Sequence, residues 1–384
     1  MNELEIIKRG TIDILLVDEL KKKLVTKRKL RVKFGADPTA GDIHLGHAVP
    51  LEKLRQFQEL GHEVIFIIGD FTAMIGDPTG RSILRKPLTR DEVMRNAETY
   101  TNQVFKILDK NKTEVVYNSK WLNDLGIEGI LNLAGKYTVA RMLERDDFNK
   151  RYKANTPISI IEFLYPLIQG YDSVYLKSDI EVGGNDQRFN LLVGRELQKH
   201  YGQEPQVVLT VPLLEGLDGE KKMSKSYGNY IGINEDPKEI FGKIMSISDK
   251  LMMRYYELLT TKNLSEDIHP KTLKENLAME LIEKFYDPLA AIHAKEEFLN
   301  VFKKHELPED IPEFKFSEDS LWIQEILIRT KLVNSKGEAR RMIVQAAVKV
   351  NQAKISDVKA NIKIGSQAVI QVGKRKFARV SRSE

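Results

Sequence analysis

The feature that most constrains the fold is an uninterrupted apolar run, Val64 to Ile68, within residues 62–71 (HEVIFIIGDF). A run without alternation is typical of a strand that is buried on both faces of a parallel sheet. Residues 30–37 (LRVKFGAD) are a second strand candidate, and the segment 47–60 between the two has apolar residues at helical spacing. Because parallel neighbours need a crossover connection, this pattern predicts a strand–helix–strand unit of an α/β domain.

The same alternation continues to about residue 235. Further strands are predicted at 113–119, 180–184 and 206–214, and further helices at 89–110, 121–134, 137–152, 158–171 and 186–202. Residues 236–303 have helical patterns and little strand signal, which predicts an all-α domain. Residues 304–319 contain two prolines and an acidic excess, as linkers do. Residues 320–384 combine two short helical segments with alternating strand segments, which predicts a small α+β domain.

The charge of the chain is unevenly distributed. Residues 321–384 contain fourteen Lys and Arg against four Asp and Glu, a formal charge of +10, whereas the first 320 residues carry −5. A basic module attached to a slightly acidic body favours a polyanionic partner such as RNA. The alternative is a solvated basic tail, although the apolar periodicity of the segment favours a folded module.

Composition excludes several classes of protein. With 384 residues, 42% hydrophobic and 30% charged, the chain has room for two or three folded domains and is not mainly disordered. The absence of cysteine excludes disulfide scaffolds, thiolate zinc sites and cysteine nucleophiles. No apolar window is long enough to span a membrane, and the first residues do not resemble a secretory signal. We therefore expect a soluble, cytoplasmic protein with no membrane partner.

A histidine turn, His44-Leu45-Gly46-His47, follows the strand at 30–37. Its two histidines are three residues apart and share one face of an opening helical turn. The free N–H groups of a helix N-terminus favour phosphate, and Gly46 leaves room for a flat ring against the backbone. The alternatives are two surface histidines or a metal site, but no third ligand follows at a suitable spacing.

A lysine loop, Glu220 to Ser226 (EKKMSKS), follows the strand at 206–214 and is bounded by glycines. Lysines on a glycine-bounded loop can move onto a polyphosphate. The alternative is a loop whose lysines are simply solvated.

Together with Asp37-Pro38-Thr39, the two segments resemble the signatures of class I aminoacyl-tRNA synthetases. Three further motifs resemble those of the tyrosyl-tRNA synthetases: Gly76 to Arg81 (GDPTGR), Tyr165 to Asp172 (YPLIQGYD) and Gly183 to Gln187 (GGNDQ). Ser335 to Arg341 (SKGEARR) resembles the S-four-type RNA-binding module that bacterial members carry at the C-terminus.

The resemblance implies a Rossmann-like catalytic domain at 1–235, a helical anticodon-binding domain at 236–303, a linker at 304–319 and an RNA-binding domain at 320–384. In this family ATP activates tyrosine to tyrosyl-adenylate, and the tyrosyl group then passes to the 3′ adenosine of tRNA(Tyr). It further implies a homodimer, no editing, Mg²⁺ that arrives with ATP, and no protein-bound metal.

The resemblance also implies roles for individual residues. Catalytic roles fall to Thr39, His44, His47, Lys222 and Lys225. ATP binding involves Asp37, Gly46, Gly184, Asp186, Met223, Ser224 and Ser226, with Arg81 and Arg85 as helpers. Tyrosine binding involves Gly35, Asp77, Tyr165, Gln169, Asp172 and Gln187, and Asp172 receives the phenol hydroxyl. The tRNA contacts are Ser335, Lys336, Arg340 and Arg341.

The sequence departs from the family at two neighbouring positions. Lys33 stands where many members have a tyrosine that helps bind the phenol, and Phe34 stands where a small residue contacts ribose. Lys33 either pairs with Asp172 or points away.

Three other functions remain as alternatives. They are a tryptophanyl-tRNA synthetase, a small nucleotidyltransferase that uses a similar histidine turn, and a non-enzymatic RNA-binding protein built around residues 321–384. Asp172 argues against the first, the length of the chain and its RNA module argue against the second, and the intact histidine and lysine segments argue against the third.

Overall fold

The structure, a computed structural model, describes residues 2–26, 28–39, 41–79, 88–262, 268–303, 311–364, 367–373 and 376–382. The chain divides into two compact units, Met1–His293 and Ala294–Glu384. No helix among the described residues is long and apolar enough to cross a membrane.

The first unit is built on a six-stranded sheet with strand order β1-β6-β5-β2-β3-β4. All neighbouring pairs are parallel except β1 and β6. Its interior strands consist mainly of apolar residues, which burial on both faces requires. The strands are β1 (Asp13–Leu15), β2 (Arg31–Ala36), β3 (Glu63–Ile68), β4 (Thr113–Tyr117), β5 (Ile180–Gly184) and β6 (Val207–Val211).

Helices cover the sheet and connect its strands. They are α1 (Glu3–Lys8), α2 (Val17–Val25), α3 (Leu45–Glu59), α4 (Asp70–Ile75), α5 (Arg90–Val104), α6 (Ser119–Ala134), α7 (Val139–Met142), α8 (Asp146–Lys153), α9 (Ile160–Leu176) and α10 (Arg188–His200). The predicted α/β parallel sheet is confirmed. Four further helices follow the sheet: α11 (Pro237–Ser246), α12 (Asp249–Leu259), α13 (Pro270–Phe285) and α14 (Pro288–Lys303).

Several predicted elements are shorter or divided. The strand predicted at 206–214 ends at Val211 because Pro212 has no N–H to donate to the ladder. The helix predicted at 137–152 is two helices, α7 and α8. The helix α6 is interrupted at Gly126, whose φ of 61° lies in the left-handed region that favours glycine.

The second unit contains a five-stranded sheet, β10-β9-β12-β13-β7, and a two-stranded sheet, β11-β8. The strands are β7 (Glu313–Phe316), β8 (Ser320–Trp322), β9 (Val348–Val350), β10 (Ala353–Ile355), β11 (Asn361–Lys363), β12 (Ala368–Val372) and β13 (Lys376–Arg382). Two helices, α15 (Ile323–Arg329) and α16 (Lys336–Val344), share one apolar core with them. Residues 313–316, assigned to a linker from the sequence, instead pair in parallel with β13.

Candidate active site

The histidine turn lies where β2 leads into α3. His44 is the N-cap of α3, and its Nδ1 accepts a hydrogen bond from Gly46 N at 3.1 Å. In return, His47 Nδ1 accepts one from His44 N at 3.3 Å. The two rings stack with centroids 3.9 Å apart. A Cβ on Gly46 would lie 2.9 Å from His44 Cε1, so glycine is needed for this arrangement.

Both histidines are neutral in the folded chain at physiological pH. Burial, together with the neighbouring His47 and Lys225, lowers the pKa of His44 to about 3. Burial, together with Lys225, lowers the pKa of His47 to about 4. They can therefore hydrogen-bond to a phosphate but do not contribute positive charge to it.

The lysine loop folds back on itself between Leu214 and Asn229. Met223 N donates to Leu214 O at 2.7 Å, and the side-chain oxygen of Asn229 accepts from Ser224 N at 2.9 Å. The amide nitrogen of Asn229 in turn donates to Asp218 Oδ2 at 2.8 Å. These contacts hold the backbone of the loop while Lys222 remains exposed.

The histidine turn and the lysine loop lie side by side. Leu45 N donates to Ile231 O at 2.9 Å, and Ile233 N donates to Ile43 O at 3.1 Å, so His44 and Gly232 form an antiparallel bridge. Lys225 Nζ also lies 2.9 Å from Asp42 Oδ2. Two segments far apart in the sequence therefore meet at one edge of the sheet.

A cavity of about 500 Å³ opens at this edge, at the carboxyl ends of the parallel strands, where ligands of open α/β sheets bind. It brings together every predicted catalytic residue, every predicted tyrosine-binding residue and seven of the nine predicted ATP-binding residues. The other two, Arg81 and Arg85, lie outside the described residues.

Asp172, on α9, is buried at the wall of the cavity. Its Oδ1 accepts from Trp121 Nε1 at 2.8 Å, and its Oδ2 lies 3.4 Å from Asn118 Nδ2. Burial raises the pKa of Asp172 to about 7, although the nearby Lys33 and these two donors act in the opposite direction.

Lys33 does not pair with Asp172. Its Nζ lies 2.6 Å from Glu181 Oε1, and both side chains are buried. Phe34 lines the cavity beside Gly35, so a bulky aromatic residue stands at this part of the wall.

A second polar network lies across the cavity. Tyr165 donates its hydroxyl to Asp37 Oδ2 at 2.8 Å, and Thr72 donates to Asp37 Oδ1 at 2.7 Å. Burial and the neighbouring Asp37 raise the pKa of Tyr165 well above its usual value. A Cβ on Gly69 would lie 2.1 Å from Asp37 Oδ1, so this glycine gives the carboxylate its space.

Asn190 organises the third network. Its Nδ2 donates to Gln187 Oε1 at 2.9 Å and to Gln169 Oε1 at 3.1 Å, while Gln187 Nε2 donates to Asp77 Oδ2 at 2.8 Å. Burial raises the pKa of Asp186, although the nearby Lys222 opposes this effect. Asp77, Gln169, Asp186 and Gln187 all line the cavity.

Sequence reasoning missed several polar residues of the site, namely Asn118, Trp121, Glu181, Asn190 and Asn229. Asn118 could have been found because it directly follows the strand β4 at the same edge of the sheet. Asn190 could have been found from its spacing of three from Gln187 at the start of α10.

The four predicted tRNA contacts lie in the second unit, with Ser335 at the N-cap of α16 and the other three within the helix. Ser335 is the N-cap, and its Oγ accepts from Glu338 N at 3.2 Å. Lys336, Arg340 and Arg341 are exposed. Among the described residues, no cluster of three or more His, Asp and Glu side chains could hold a metal ion.

Comparison with known proteins agrees with this geometry. Residues 25–303 match the family model of tRNA synthetases class I (W and Y), and residues 304–380 match that of the tyrosine–tRNA ligase SYY-like C-terminal domain. The fold, the paired signatures and the first match define a class I aminoacyl-tRNA synthetase of the tryptophan and tyrosine branch.

Curated relatives distinguish between the tryptophan and tyrosine enzymes of this branch. The tyrosine–tRNA ligase of Coxiella burnetii is 57% identical, over 98% of this chain and 97% of that protein. That of Aquifex aeolicus is 54% identical, over 98% of each chain. A crystal structure of tyrosyl-tRNA synthetase from Archaeoglobus fulgidus with L-tyrosine has a TM-score of 0.63 and 26% identity, over 76% of this chain and 100% of that one. The chain belongs to the tyrosine–tRNA ligases.

Proposed function

We propose that this chain activates L-tyrosine with ATP, releases pyrophosphate, and transfers the tyrosyl group to the 3′ adenosine of tRNA(Tyr). The observation that carries the proposal is one cavity with two chemically different ends. One end has stacked histidines and a lysine loop suited to a triphosphate. The other has the buried carboxylate of Asp172, suited to a phenol hydroxyl.

At the phosphate end, Thr39, His44 and His47 hold the phosphates of ATP. Since both imidazoles are neutral, they act as hydrogen-bond donors and orient the α-phosphate for attack by the tyrosine carboxylate. That carboxylate is itself the nucleophile, so the reaction needs no protein base. Asp37, Gly46, Gly184, Asp186 and the backbone around Met223, Ser224 and Ser226 contact the rest of the nucleotide.

Lys222 and Lys225 stabilise the negative charge that develops on pyrophosphate as the bond to the α-phosphate breaks. Lys225 pairs with Asp42, so an ammonium group that binds ATP must exchange one anionic partner for another. Arg81 and Arg85 are proposed helpers. Mg²⁺ enters with ATP as part of the substrate and neutralises phosphate charge there.

At the tyrosine end, Asp172 accepts the phenol hydroxyl, while Asp77, Tyr165 and Gln169 receive the α-ammonium group. Gln187 and the backbone at Gly35 complete the pocket. A site built to hydrogen-bond a substrate hydroxyl rejects the analogue that lacks it, the general case that tyrosyl-tRNA synthetases themselves illustrate. Phenylalanine would bury the remaining acceptor positions of the Asp172 carboxylate without a donor, which is costly.

The second unit binds tRNA(Tyr). Lys336, Arg340 and Arg341 meet phosphates, and the Ser335 hydroxyl, which accepts a bond as helix cap, still has its hydrogen to donate. Residues 236–303 are proposed as the anticodon-binding domain and 320–384 as the RNA-binding domain. Since aminoacylated tRNA is consumed by ribosomes, we place the protein in the cytoplasm.

We further propose that two copies associate through an apolar surface of the first unit. Ile127 and Leu131 on α6 are 81% and 68% exposed, and Ile160 on α9 is 73% exposed. α6 and α9 pack against each other, so these side chains belong to neighbouring elements. Burying such residues against a second copy removes apolar area from water. Ile127→Asp should give a monomer by light scattering, and an unchanged mass would refute this interface.

Pyrophosphate exchange with single amino acids tests the proposed activity. Tyrosine should stimulate exchange strongly, while tryptophan and phenylalanine should not. Stimulation by tryptophan alone would instead assign the chain to tryptophanyl-tRNA synthetase. No exchange with any amino acid, together with intact RNA binding, would favour a non-enzymatic RNA-binding protein.

A further inference from the structure

A buried ion pair lies beneath the tyrosine end of the cavity. Lys33 on β2 and Glu181 on β5 are cross-strand partners in the parallel sheet. Their Nζ and Oε1 atoms are 2.6 Å apart, and the side chains are 1% and 2% exposed. Two charges this deep in an apolar sheet are expensive to desolvate, so their position calls for a physical explanation.

The pair is held rigidly. Glu181 Oε2 accepts from Ser173 Oγ at 3.2 Å and also from Gln206 Nε2. Ser173 is the residue next to Asp172 on α9. Lys33 is therefore fixed from one side by Glu181, and both charges are fixed relative to the carboxylate that we propose as the phenol acceptor.

Asp172 has two acceptor positions left, one on each carboxylate oxygen, so it can accept a hydrogen bond from a substrate hydroxyl. Each carboxylate oxygen has two acceptor positions, and Trp121 and Asn118 use one on each oxygen. Its charge state is finely balanced, because burial raises the pKa to about 7 while Lys33 lowers it and Glu181 raises it. The ion pair therefore acts on Asp172 through two opposing effects, of which that of Lys33 is larger.

Other titratable groups around α9 have partners of their own. Tyr165, on the same helix, donates to Asp37. Asp70, on α4, accepts from Ser119. Arg195, on α10, binds Glu19 and the backbone of Gln206. Removing the charge of Lys33 or of Glu181 should therefore change the pKa of Asp172.

We propose that Lys33 is a positioning residue for substrate specificity: its buried ammonium group, held by Glu181, favours the ionised form of Asp172, the acceptor for the phenol hydroxyl of tyrosine. This inference rests on the proposed function. An ionised carboxylate makes a charge-assisted hydrogen bond with a phenol O–H, and this bond is shorter and stronger than a neutral one. Lys33 thereby selects tyrosine without touching it.

The test compares two variants that break the same ion pair but change the charge in opposite directions. The quantity to measure is the pH profile of kcat/KM for tyrosine in pyrophosphate exchange, whose low-pH side is here called the acid limb. In Lys33→Met, the acid limb should move to higher pH by about one unit. In Glu181→Gln, the limb should move to lower pH. A merely structural role would move the limb in neither variant, or in the same direction in both.

Two further variants control for the effects of misfolding. Lys33→Met combined with Glu181→Gln leaves no buried charge unpaired, and its acid limb should lie between those of the native chain and Lys33→Met. Lys33→Arg keeps the positive charge and should retain the native limb. Phenylalanine, which has no hydroxyl, is the control substrate, and its weak exchange should show no such limb in any variant.

The outcomes distinguish a failure of the proposed role of Lys33 from a failure of the proposed function. Tyrosine-dependent exchange in the native chain with an unmoved limb in the double variant would overturn the role of Lys33 and leave the proposed function standing. Absence of tyrosine-dependent exchange in the native chain would overturn the proposed function and this inference with it.

Discussion

Lys225 Nζ lies 2.9 Å from Asp42 Oδ2, and this contact joins the lysine loop to the histidine turn. The pair is partly exposed, with side chains 32% and 62% accessible, so it is worth at most about 1 kcal/mol. The Asp42 carboxylate nevertheless competes with ATP for the ammonium group of Lys225.

Removing that competition should help ATP to bind. We expect Asp42→Asn to lower the KM for ATP by about threefold, in keeping with a weak exposed pair, and to leave kcat near the native value. Initial rates of pyrophosphate exchange against ATP concentration measure both constants. Glu220→Gln, which removes an acidic group from the same loop, is the control and should change neither. A raised KM in Asp42→Asn would show that the aspartate positions the loop rather than competing for it.

Lys222 offers a test of transition-state stabilisation. Lys222→Met should slow tyrosyl-adenylate formation by about 10²-fold or more, because an electrostatic donor is lost where charge develops. Tyrosine binding should persist, since Lys222 lies at the phosphate end. The fluorescence of Trp121, which contacts Asp172, can report tyrosine binding in a Trp322→Phe background. Lys221→Met, the exposed neighbour that does not line the cavity, should keep near-native activity; equal losses in both variants would argue against a specific role.

The buried histidines should make the fold sensitive to acid. The pKa of His47 falls from 6.5 to about 4 on folding, so the unfolded chain binds more protons between these values. The stability contributed by neutral His47 is complete above pH 6.5 and decreases as the pH falls, by about 2 kcal/mol at pH 5. Denaturant unfolding of the native chain and His47→Asn should therefore converge between pH 7 and pH 5. Parallel pH profiles would contradict a neutral, buried His47.

Gly69 tests the packing around Asp37. In Gly69→Ala, the new methyl group would overlap Asp37 Oδ1 and Thr72 Oγ1, at 2.1 and 2.4 Å. We expect a loss of stability of about 1–3 kcal/mol and displacement of Asp37 from Tyr165. Gly61→Ala is a useful comparison because no atom lies within 4 Å of its Cβ, although its φ of +89° adds backbone strain of its own. A fully stable Gly69→Ala with native exchange would contradict the tight fit.

The basic residues of α16 should control tRNA charging but not activation. Replacing Lys336, Arg340 and Arg341 by Gln should weaken tRNA binding and reduce its dependence on salt, since phosphate contacts release counterions. Pyrophosphate exchange should stay native. Replacing the equally exposed Lys354, Lys359 and Lys363 is the matched control. Equal effects of the two triple variants would indicate a general dependence on charge rather than contacts at α16.

The sequence was most informative where its pattern was strong. The apolar runs predicted the parallel strands, and Thr89 correctly marked the start of α5, where it is the N-cap. The histidine turn and lysine loop were predicted to converge on one triphosphate, and the structure places them beside one cavity.

The partner of Lys33 could not be predicted. It depends on the register between β2 and β5, which are far apart in the sequence. Shifting one strand by a single residue would give Lys33 a different neighbour, and neither strand carries a turn to its partner that would fix the register. The break between α7 and α8 could not be predicted either, because apolar residues continue at helical spacing on both sides of it.

The bridge between His44 and Gly232 also bears on synthesis of the protein. A ribosome releases the histidine turn long before it makes the segment that lies against it. The unfinished polypeptide therefore has no assembled centre for adenylate formation until residue 232 has emerged, and enzymatic competence is acquired late in translation.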